Sequence, residues 1–211
     1  MGIAERKERE KQQRRNAIID AAERLIFEKG YENTTMDMVA EEAELSKGTL
    51  YLYFKSKEGL YLAINARGMK ILEQMFRDAA REVTTGLEKI VNIGKAYFKF
   101  SQEFHNYFQA MIHYEAKKPD TDMELPCWDS CETQGMRTLE VVARAVETGI
   151  EDGSIRADVD PMQVAMALWG HTTGLIQVLA LKVNQLEKFN DVTLEDIINT
   201  SFKMTRNGLA G

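Results

Sequence analysis

Lys47, Gly48, Thr49, Tyr51 and Tyr53 fall within one run of eight residues, Lys47–Phe54, inside the stretch TTMDMVAEEAELSKGTLYLYFKSKEGLYLAI that begins at Thr34. Their chemistry is hydrogen bonding to a polyanion rather than bond making or breaking. A lysine bonds guanine edges, and a threonine offers a base its hydroxyl or its methyl. Tyrosine hydroxyls reach phosphate oxygens. Gly48 has no side chain, so another backbone can come close to it. Lys55 and Lys57 flank the start of the next helical pattern, where free N–H groups and the helix dipole suit a phosphate. Arg14 and Arg15 stand at the start of the first amphipathic pattern and can reach the same polyanion. The same residue types also suit a plain solvated helix face, and residue type alone leaves both readings open.

Other chemistry is poorly represented. There is no glycine-rich phosphate loop, no HExxH and no nucleophile elbow, and His105, His113 and His171 match no triad signature. Cys127 and Cys131 stand four apart, which puts two thiols on one helical face. Two thiols are half a zinc site. Redox or metal sensing through them stays open beside the plain alternative of two small buried residues. No enzyme activity, cofactor or metal is expected, and two cysteines make no disulfide framework.

The chain has 211 residues, 44% hydrophobic and 28% charged, which excludes disordered and collagen-like classes. Its net charge of −6 argues against a uniformly basic nucleic-acid binder, but the charge is uneven. Residues 1–70 carry thirteen Lys/Arg against twelve Asp/Glu, and residues 71–211 carry fourteen against twenty-one. No apolar run of signal-peptide length precedes the charged stretch AERKEREKQQRR. The longest apolar run, Val164–Val183, is interrupted by polar residues at its centre and reads as a buried helix of a soluble protein. The expected location is cytoplasmic, with no membrane partner.

Only three prolines punctuate the chain. Ile18, Ala21, Ala22, Leu25 and Ile26 predict a helix over Arg14–Lys29, ended by Gly30. Thr34 or Thr35 caps a second helix, Met36 to about Ala43, and Ser46 caps a third, Lys47 to about Phe54. A fourth runs from Lys57 to about Val83. Val39, Ala43, Leu45 and Leu50 are spaced to pack the second helix on the third across a three-residue turn, Glu44-Leu45-Ser46. That is the grammar of a helix-turn-helix, which lays its second helix along the DNA major groove. Helices over Leu87–Glu103, Asn106–Ala116, Trp128–Glu151, Pro161 to about Val183 and Leu194 to about Arg206 follow, with loops over Lys117–Pro126 and Asn184–Asp191. No alternating strand pattern survives, so the expected fold is all-α with about nine helices.

The run Gly30-Tyr31, Thr34-Thr35, Val39-Ala40, Ala43, Leu45-Ser46-Lys47-Gly48-Thr49-Leu50-Tyr51, Tyr53-Phe54 and Ser56-Lys57-Glu58 resembles the N-terminal domain of TetR-type transcriptional regulators. The resemblance covers residues 12 to about 70. It implies an N-terminal three-helix DNA-binding domain, residues 1–70 with its motif at about 35–54, and a larger helical effector-binding and dimerisation domain over 71–211. It further implies a homodimeric repressor that leaves a palindromic double-stranded operator when a small molecule binds. By the same resemblance Lys47, Gly48 and Tyr51 face bases. Thr35, Tyr53 and Lys57 touch phosphates, and Ser46 lies near the DNA backbone. One position departs from the family pattern: Glu44 stands in the turn where glycine is usual.

The remaining two-thirds must supply a partner surface and a pocket. Gly170 and Gly174 share a face and permit close helix approach, with Leu175 nearby. Leu194, Ile197, Ile198 and Phe202 stripe the last helix. The resemblance implies a four-helix bundle built from these two helices of each subunit; the other reading is that both stripes face the core. Candidate pocket residues are Phe104, Tyr107, Phe108, Met111, His113, Tyr114, Trp128, Met136, Met166, Trp169, His171 and Gln177, which suit a small apolar or aromatic effector. Each of these taken singly also suits plain core. A protein-interaction module is the alternative to DNA binding, and the basic residues at the helix starts of an acidic chain separate the two.

Overall fold

The computed structural model describes residues 2–116, 128–186 and 193–211. The described residues form nine α-helices, and their only β-type pairing is an isolated bridge between Ile155 and Ala210. The helices are α1 (Ile3–Lys29), α2 (Met36–Glu42), α3 (Lys47–Tyr53), α4 (Lys57–Arg81), α5 (Gly86–Glu103), α6 (His105–Ala116), α7 (Trp128–Glu151), α8 (Pro161–Leu186) and α9 (Leu194–Leu209). The expected loop over Lys117–Pro126, and all but the start of that over Asn184–Asp191, lie outside the described residues. Asn184 itself still belongs to α8.

The caps explain why most helix starts were legible. Thr35 Oγ1 accepts the Met38 N–H, Ser46 Oγ accepts the Thr49 N–H, and Thr193 Oγ1 accepts the Asp196 N–H. Thr34, the other candidate for α2, is instead buried and donates its hydroxyl to the Gly30 carbonyl at 2.9 Å. The first helix differs most from expectation, starting at Ile3 rather than Arg14. Residues 5–13 are exposed and polar on every side, so they carry no apolar period to read. Pairs four apart support them: Arg6 with Glu10 at 2.8 Å, and Gln12 with Asn16 at 3.0 Å. Glu5 accepts the Gly2 N–H ahead of the first turn.

The chain divides into two compact units. One holds Met1–Gly68 with Gln109–Glu132, so the second half of α6 belongs with the N-terminal helices. Its core is Ile18, Ala22 and Leu25 of α1, Val39 and Ala40 of α2, Leu50 of α3, Phe54, and Leu60 and Ile64 of α4, all buried. Arg67 ties α4 to α1 through Asp20 at 2.7 Å and Glu23 at 2.8 Å.

The turn between α2 and α3 confirms the cost that its sequence implies. Glu44 has φ 55°, and no other non-glycine among the described residues has a positive φ. The Leu45 N–H donates back to the Ala40 carbonyl at 2.8 Å and the Glu44 N–H to Glu41 at 3.0 Å, so the left-handed residue closes the end of α2. A side chain there costs about 1 kcal/mol over glycine. Glu44→Gly is therefore expected to stabilise the protein by about 1 kcal/mol. Thermal denaturation should show a midpoint roughly 2–4 °C higher; a lower midpoint would mean that the glutamate makes a compensating contact.

The other unit holds Met69–Phe108 with Thr133–Gly211. Gly86 opens α5 against α7, where a Cβ would come within 2.0 Å of the Gly149 nitrogen, so the two backbones require glycine there. The Asp152 carboxylate accepts N–H groups from Gly86 and Ser154, and the Ser154 hydroxyl accepts the Leu87 N–H. Those bonds, Ser154 foremost, hold Asp152 below the usual carboxylate range. Its place in the sequence, between a helix and a Gly-Ser pair, suggests only a solvated turn. The C-terminus is tied down by Arg156 N–H to the Leu209 carbonyl at 2.9 Å.

Helix α8 corrects the expectation of a buried helix over Val164–Val183. By length and composition it could cross a membrane, yet within the chain only its Ala165, Thr173, Ile176 and Leu179 side is buried. Met166, Val178 and Leu181 are exposed, Leu181 by 79%.

Candidate nucleic-acid interface

Helix α3 has one buried side chain, Leu50, and the buried Phe54 follows its last turn. Because these two face inward, Lys47, Gly48, Tyr51 and Leu52 are turned to solvent, and Tyr53 is half-buried. The helix thus carries a short face of one cation, one phenol, one bare backbone and one apolar side chain. Leu52 was not among the sequence candidates, although it is 77% exposed. An exposed leucine beside Tyr51 can meet a thymine methyl. Its signal was its phase: two residues from Leu50 and from Phe54, it cannot share their side of a helix.

The cations of this face are held by the protein itself. Lys47 Nζ pairs with Asp37 at 2.6 Å, and Lys55 Nζ donates to the Tyr51 carbonyl at 2.9 Å. Lys57 Nζ donates to the Tyr31 carbonyl at 2.8 Å and lies 4.3 Å from the centre of the Tyr31 ring. The Arg15 guanidinium sits 5.0 Å from the Phe54 ring centre, which places the end of α1's exposed segment beside the end of α3. Thr35 and Ser46 use one lone pair each on their caps, and Ser46 Oγ also lies 2.9 Å from the Thr49 hydroxyl.

Behind this face, Tyr31 and Tyr61 pack together with ring centres 4.7 Å apart, and His113 of α6 lies 5.8 and 5.7 Å from them. Tyr61 donates its hydroxyl to the Ala110 carbonyl at 3.0 Å, and burial pushes its pKa up to about 12. Burial first and Glu58 second push the Tyr31 hydroxyl up further. Both phenols are neutral donors at any ordinary pH.

The second unit contains a cavity of about 40 Å³. It is lined by Phe76 of α4, Ile93 and Tyr97 of α5, Trp169 of α8 and Phe202 of α9, among others. Tyr97 stacks on Trp169 at 5.1 Å, and its hydroxyl bonds Thr173 at 2.8 Å. Thr172, Ser201 and Thr205 supply further hydroxyls to the lining, which contains no charged side chain. Among the described residues, Trp169 is the one pocket candidate expected from sequence that lines it. Phe104, Tyr107 and Phe108 lie in this unit near α5, with Phe108 packed on Tyr97 and Phe104 on Phe100. Met111 and His113 belong to the other unit. Met136, Met166 and His171 are exposed, and Gln177 is half-buried. The side chains of Tyr114 and Trp128 lie outside the described residues, as does Cys127; Cys131 is buried.

The expected partner surface divides likewise. Gly170 and Gly174 are exposed, and a Cβ at either meets nothing within 4 Å. A shallow groove between α8 and α9 is lined by His171, Leu175, Ile197 and Met204, with His171 Nε2 3.2 Å from the Ser201 hydroxyl. Leu194 is exposed and Ile198 half-buried. Phe202 turns the other way, onto Phe98 and against Gly94.

A helix-turn-helix with an outward second helix, followed by a separate helical unit, defines the class of DNA-binding regulators. Residues 18–64 match the sequence profile of bacterial regulatory proteins of the tetR family. The chain is 27% identical over 147 residues to the transcriptional repressor KstR2 of Mycolicibacterium smegmatis, covering 70% of each protein. It is also 27% identical over 154 residues to the fatty acid metabolism regulator protein of Bacillus subtilis, covering 72% of this chain and 76% of that one. In fold it is similar to a Rhodococcus protein of unknown function (TM-score 0.74, 17% identity, 94% and 95% covered). It is likewise similar to FadR of Bacillus subtilis, solved with stearoyl-CoA (TM-score 0.69, 21% identity, 91% and 97% covered). The match to the tetR family thus lies in the N-terminal helix-turn-helix segment, and the similarity to named regulators extends over about 70% of the chain.

The ion pair between Lys47 and Asp37 gives a test of the interface. Lys47→Ala and Tyr51→Ala are expected to weaken sequence-specific DNA binding by about 1–3 kcal/mol each with the helical circular dichroism spectrum unchanged. Asp37→Asn should do the reverse, tightening binding up to about fivefold, because an exposed pair holds its lysine by no more than about 1 kcal/mol. Fluorescence anisotropy on one duplex reads all three. Weaker binding by the Asp37 variant would show that the aspartate positions Lys47 instead of competing for it.

Proposed function

We propose that this chain is a homodimeric repressor that leaves a palindromic operator when an apolar effector enters the second unit. In this reading residues 1–70 bind DNA, and residues 71–211 bind the effector and the second subunit. Lys47, Gly48, Thr49, Tyr51 and Leu52 read bases. Thr35, Ser46, Tyr53, Lys55 and Lys57 approach phosphates. The observation that carries the reading is the outward polar and aromatic face of α3, set on a buried Leu50. Relatives named as repressors support the sign of the effect.

The cavity supports an effector and limits its kind. At about 40 Å³ it holds a water or so, whereas small-molecule pockets need roughly 300 Å³ or more. A ligand therefore binds an expanded form, and that difference in affinity between two forms is what shifts an equilibrium. The aromatic lining with hydroxyls and no cation favours an apolar body with at most a neutral polar group inside. FadR, with its bound stearoyl-CoA, supports an acyl-type ligand, and a solved ketosteroid regulator is a second apolar precedent. Phe76 stands on α4, the same helix whose first half supplies Leu60 and Ile64 to the DNA-binding unit. Expansion around Phe76 can thus be felt at the far end of one continuous helix.

Two measurements test this. Calorimetry with a long-chain acyl-CoA and a steroid, with and without DNA, should show one of them binding more weakly to the DNA complex. DNA must then weaken by the same factor in its presence, since coupling is reciprocal. No change with either class removes the apolar-effector reading. For the second subunit, Val178→Glu with Leu181→Glu should convert a dimer to a monomer in sedimentation equilibrium and abolish most of the DNA affinity. A dimer that survives both charges places the interface elsewhere.

A further inference from the structure

The exposed start of α1 carries a basic stripe that the recognition face does not use. Lys7, Lys11, Arg14 and Arg15 are spaced four, three and one apart, which sets them on one side of the helix. The same side, continued by further turns, is Ile18, Ala22 and Leu25, the buried face of α1. The inner face of α1 thus changes from apolar to basic where the core ends. Glu5 and Glu10 lie off this stripe, Glu8 borders it on the Arg15 side, and Glu10 is paired with Arg6. Lys7, Lys11 and Arg14 are exposed and take part in no ion pair among the described residues.

Position follows from Arg15. Its guanidinium over Phe54 fixes the root of the exposed segment at the end of α3 and beside Lys55. From there, Ile3–Arg15 extends for about 20 Å at 1.5 Å per residue. A helical overhang polar from Glu5 onward is not held by a core, and its cost is offset only by its own pairs or by a partner. Residues 2–16 hold six Lys/Arg against three Glu, in a chain of net charge −6.

We propose that this overhang is a second DNA contact: Lys7, Lys11 and Arg14 lie along the phosphodiester backbone next to the site read by α3. The inference rests on the DNA-binding reading above. Its contacts are to phosphates, so they add affinity and salt dependence but no sequence preference. The stripe extends the interface from the end of the recognition helix.

The test uses the full-length protein and a duplex that it selects from a randomised pool. The variant Lys7→Gln with Lys11→Gln and Arg14→Gln keeps helix-forming residues at exposed positions, and an unchanged thermal midpoint checks the fold. We expect its affinity to fall about tenfold or more near 0.1 M salt. The slope of log affinity against log salt should become shallower by roughly 1 for each phosphate that is no longer neutralised. Hydroxyl-radical protection should disappear beside each half-site while the preferred sequence stays the same. Lys7→Arg with Lys11→Arg should behave as the parent. Full affinity, slope and footprint in the glutamine variant would overturn the overhang contact while leaving the α3 interface intact, and would assign the stripe to another anion. A changed sequence preference would also overturn it, by making these residues readers of bases. If the parent protein selects no duplex at all, the DNA-binding reading fails and takes this one with it.

Discussion

Leu50 is the residue on which the DNA-facing surface depends. It is fully buried on a helix of seven residues, a length that has little stability by itself. Burying Leu50, with α3 packed on α2, fixes the rotation of α3 about its axis. The rotation, in turn, decides that Tyr51 and Leu52 face out and Tyr53 stays half-covered. Two local devices make the docking possible. Ser46 closes the start of α3, and Glu44 accepts a left-handed backbone so that α2 can stop within one residue. A glutamate tolerated where glycine is easier shows how strongly tertiary packing outweighs a local cost of about 1 kcal/mol.

The electrostatics of the N-terminal unit follow from the same geometry. A net charge near zero does not prevent binding to DNA when the charges are sorted. Lys47 and Asp37, Arg24 and Glu42, and Arg67 with Asp20 and Glu23 are paired near or behind the α2–α3 region. The Lys47 and Arg24 pairs are exposed, so each holds its cation weakly and phosphate can compete. Lys57 differs, since its carbonyl and ring partners on Tyr31 make it part of the packing of α4 on the α1–α2 connection. A lysine bound in this way orients the unit as much as it offers charge, which residue type could not reveal.

Much of the helix map was legible because caps and apolar periods are local. Thr35, Ser46, Thr193 and Pro161 all mark real starts, and α7 begins and ends where its pattern does. The start of α1 was not legible, because a helix polar on all sides has no period and is supported by pairs such as Arg6 with Glu10. The cavity was legible only through Trp169. Aromatic content says which residues are large and apolar, but not which neighbour each one meets. Phe202 shares the stripe of Ile198 in sequence, yet it turns inward because Gly94 leaves room for its ring. Its choice depends on a glycine more than a hundred residues away, which no local pattern encodes.

The second unit leaves two apolar surfaces in different conditions, and the difference bears on mechanism. Inside, Tyr97, Trp169 and Phe202 line a cavity of about 40 Å³, and the Tyr97 hydroxyl is already bonded to Thr173. Outside, α8 shows Met166, Val178 and Leu181 to solvent beside glycines with open space above them. A collapsed interior can be opened by a ligand at a cost set by the contacts it displaces. An exposed apolar helix face gains by being covered, at roughly 25 cal/mol per Å² removed from water. The two surfaces are opposite sides of the same helix, since Trp169 and Val178, nine residues apart, point about half a turn away from each other. Under the proposed reading, opening the interior acts on the helix that a second subunit would cover, so effector and second subunit are expected to interact through α8.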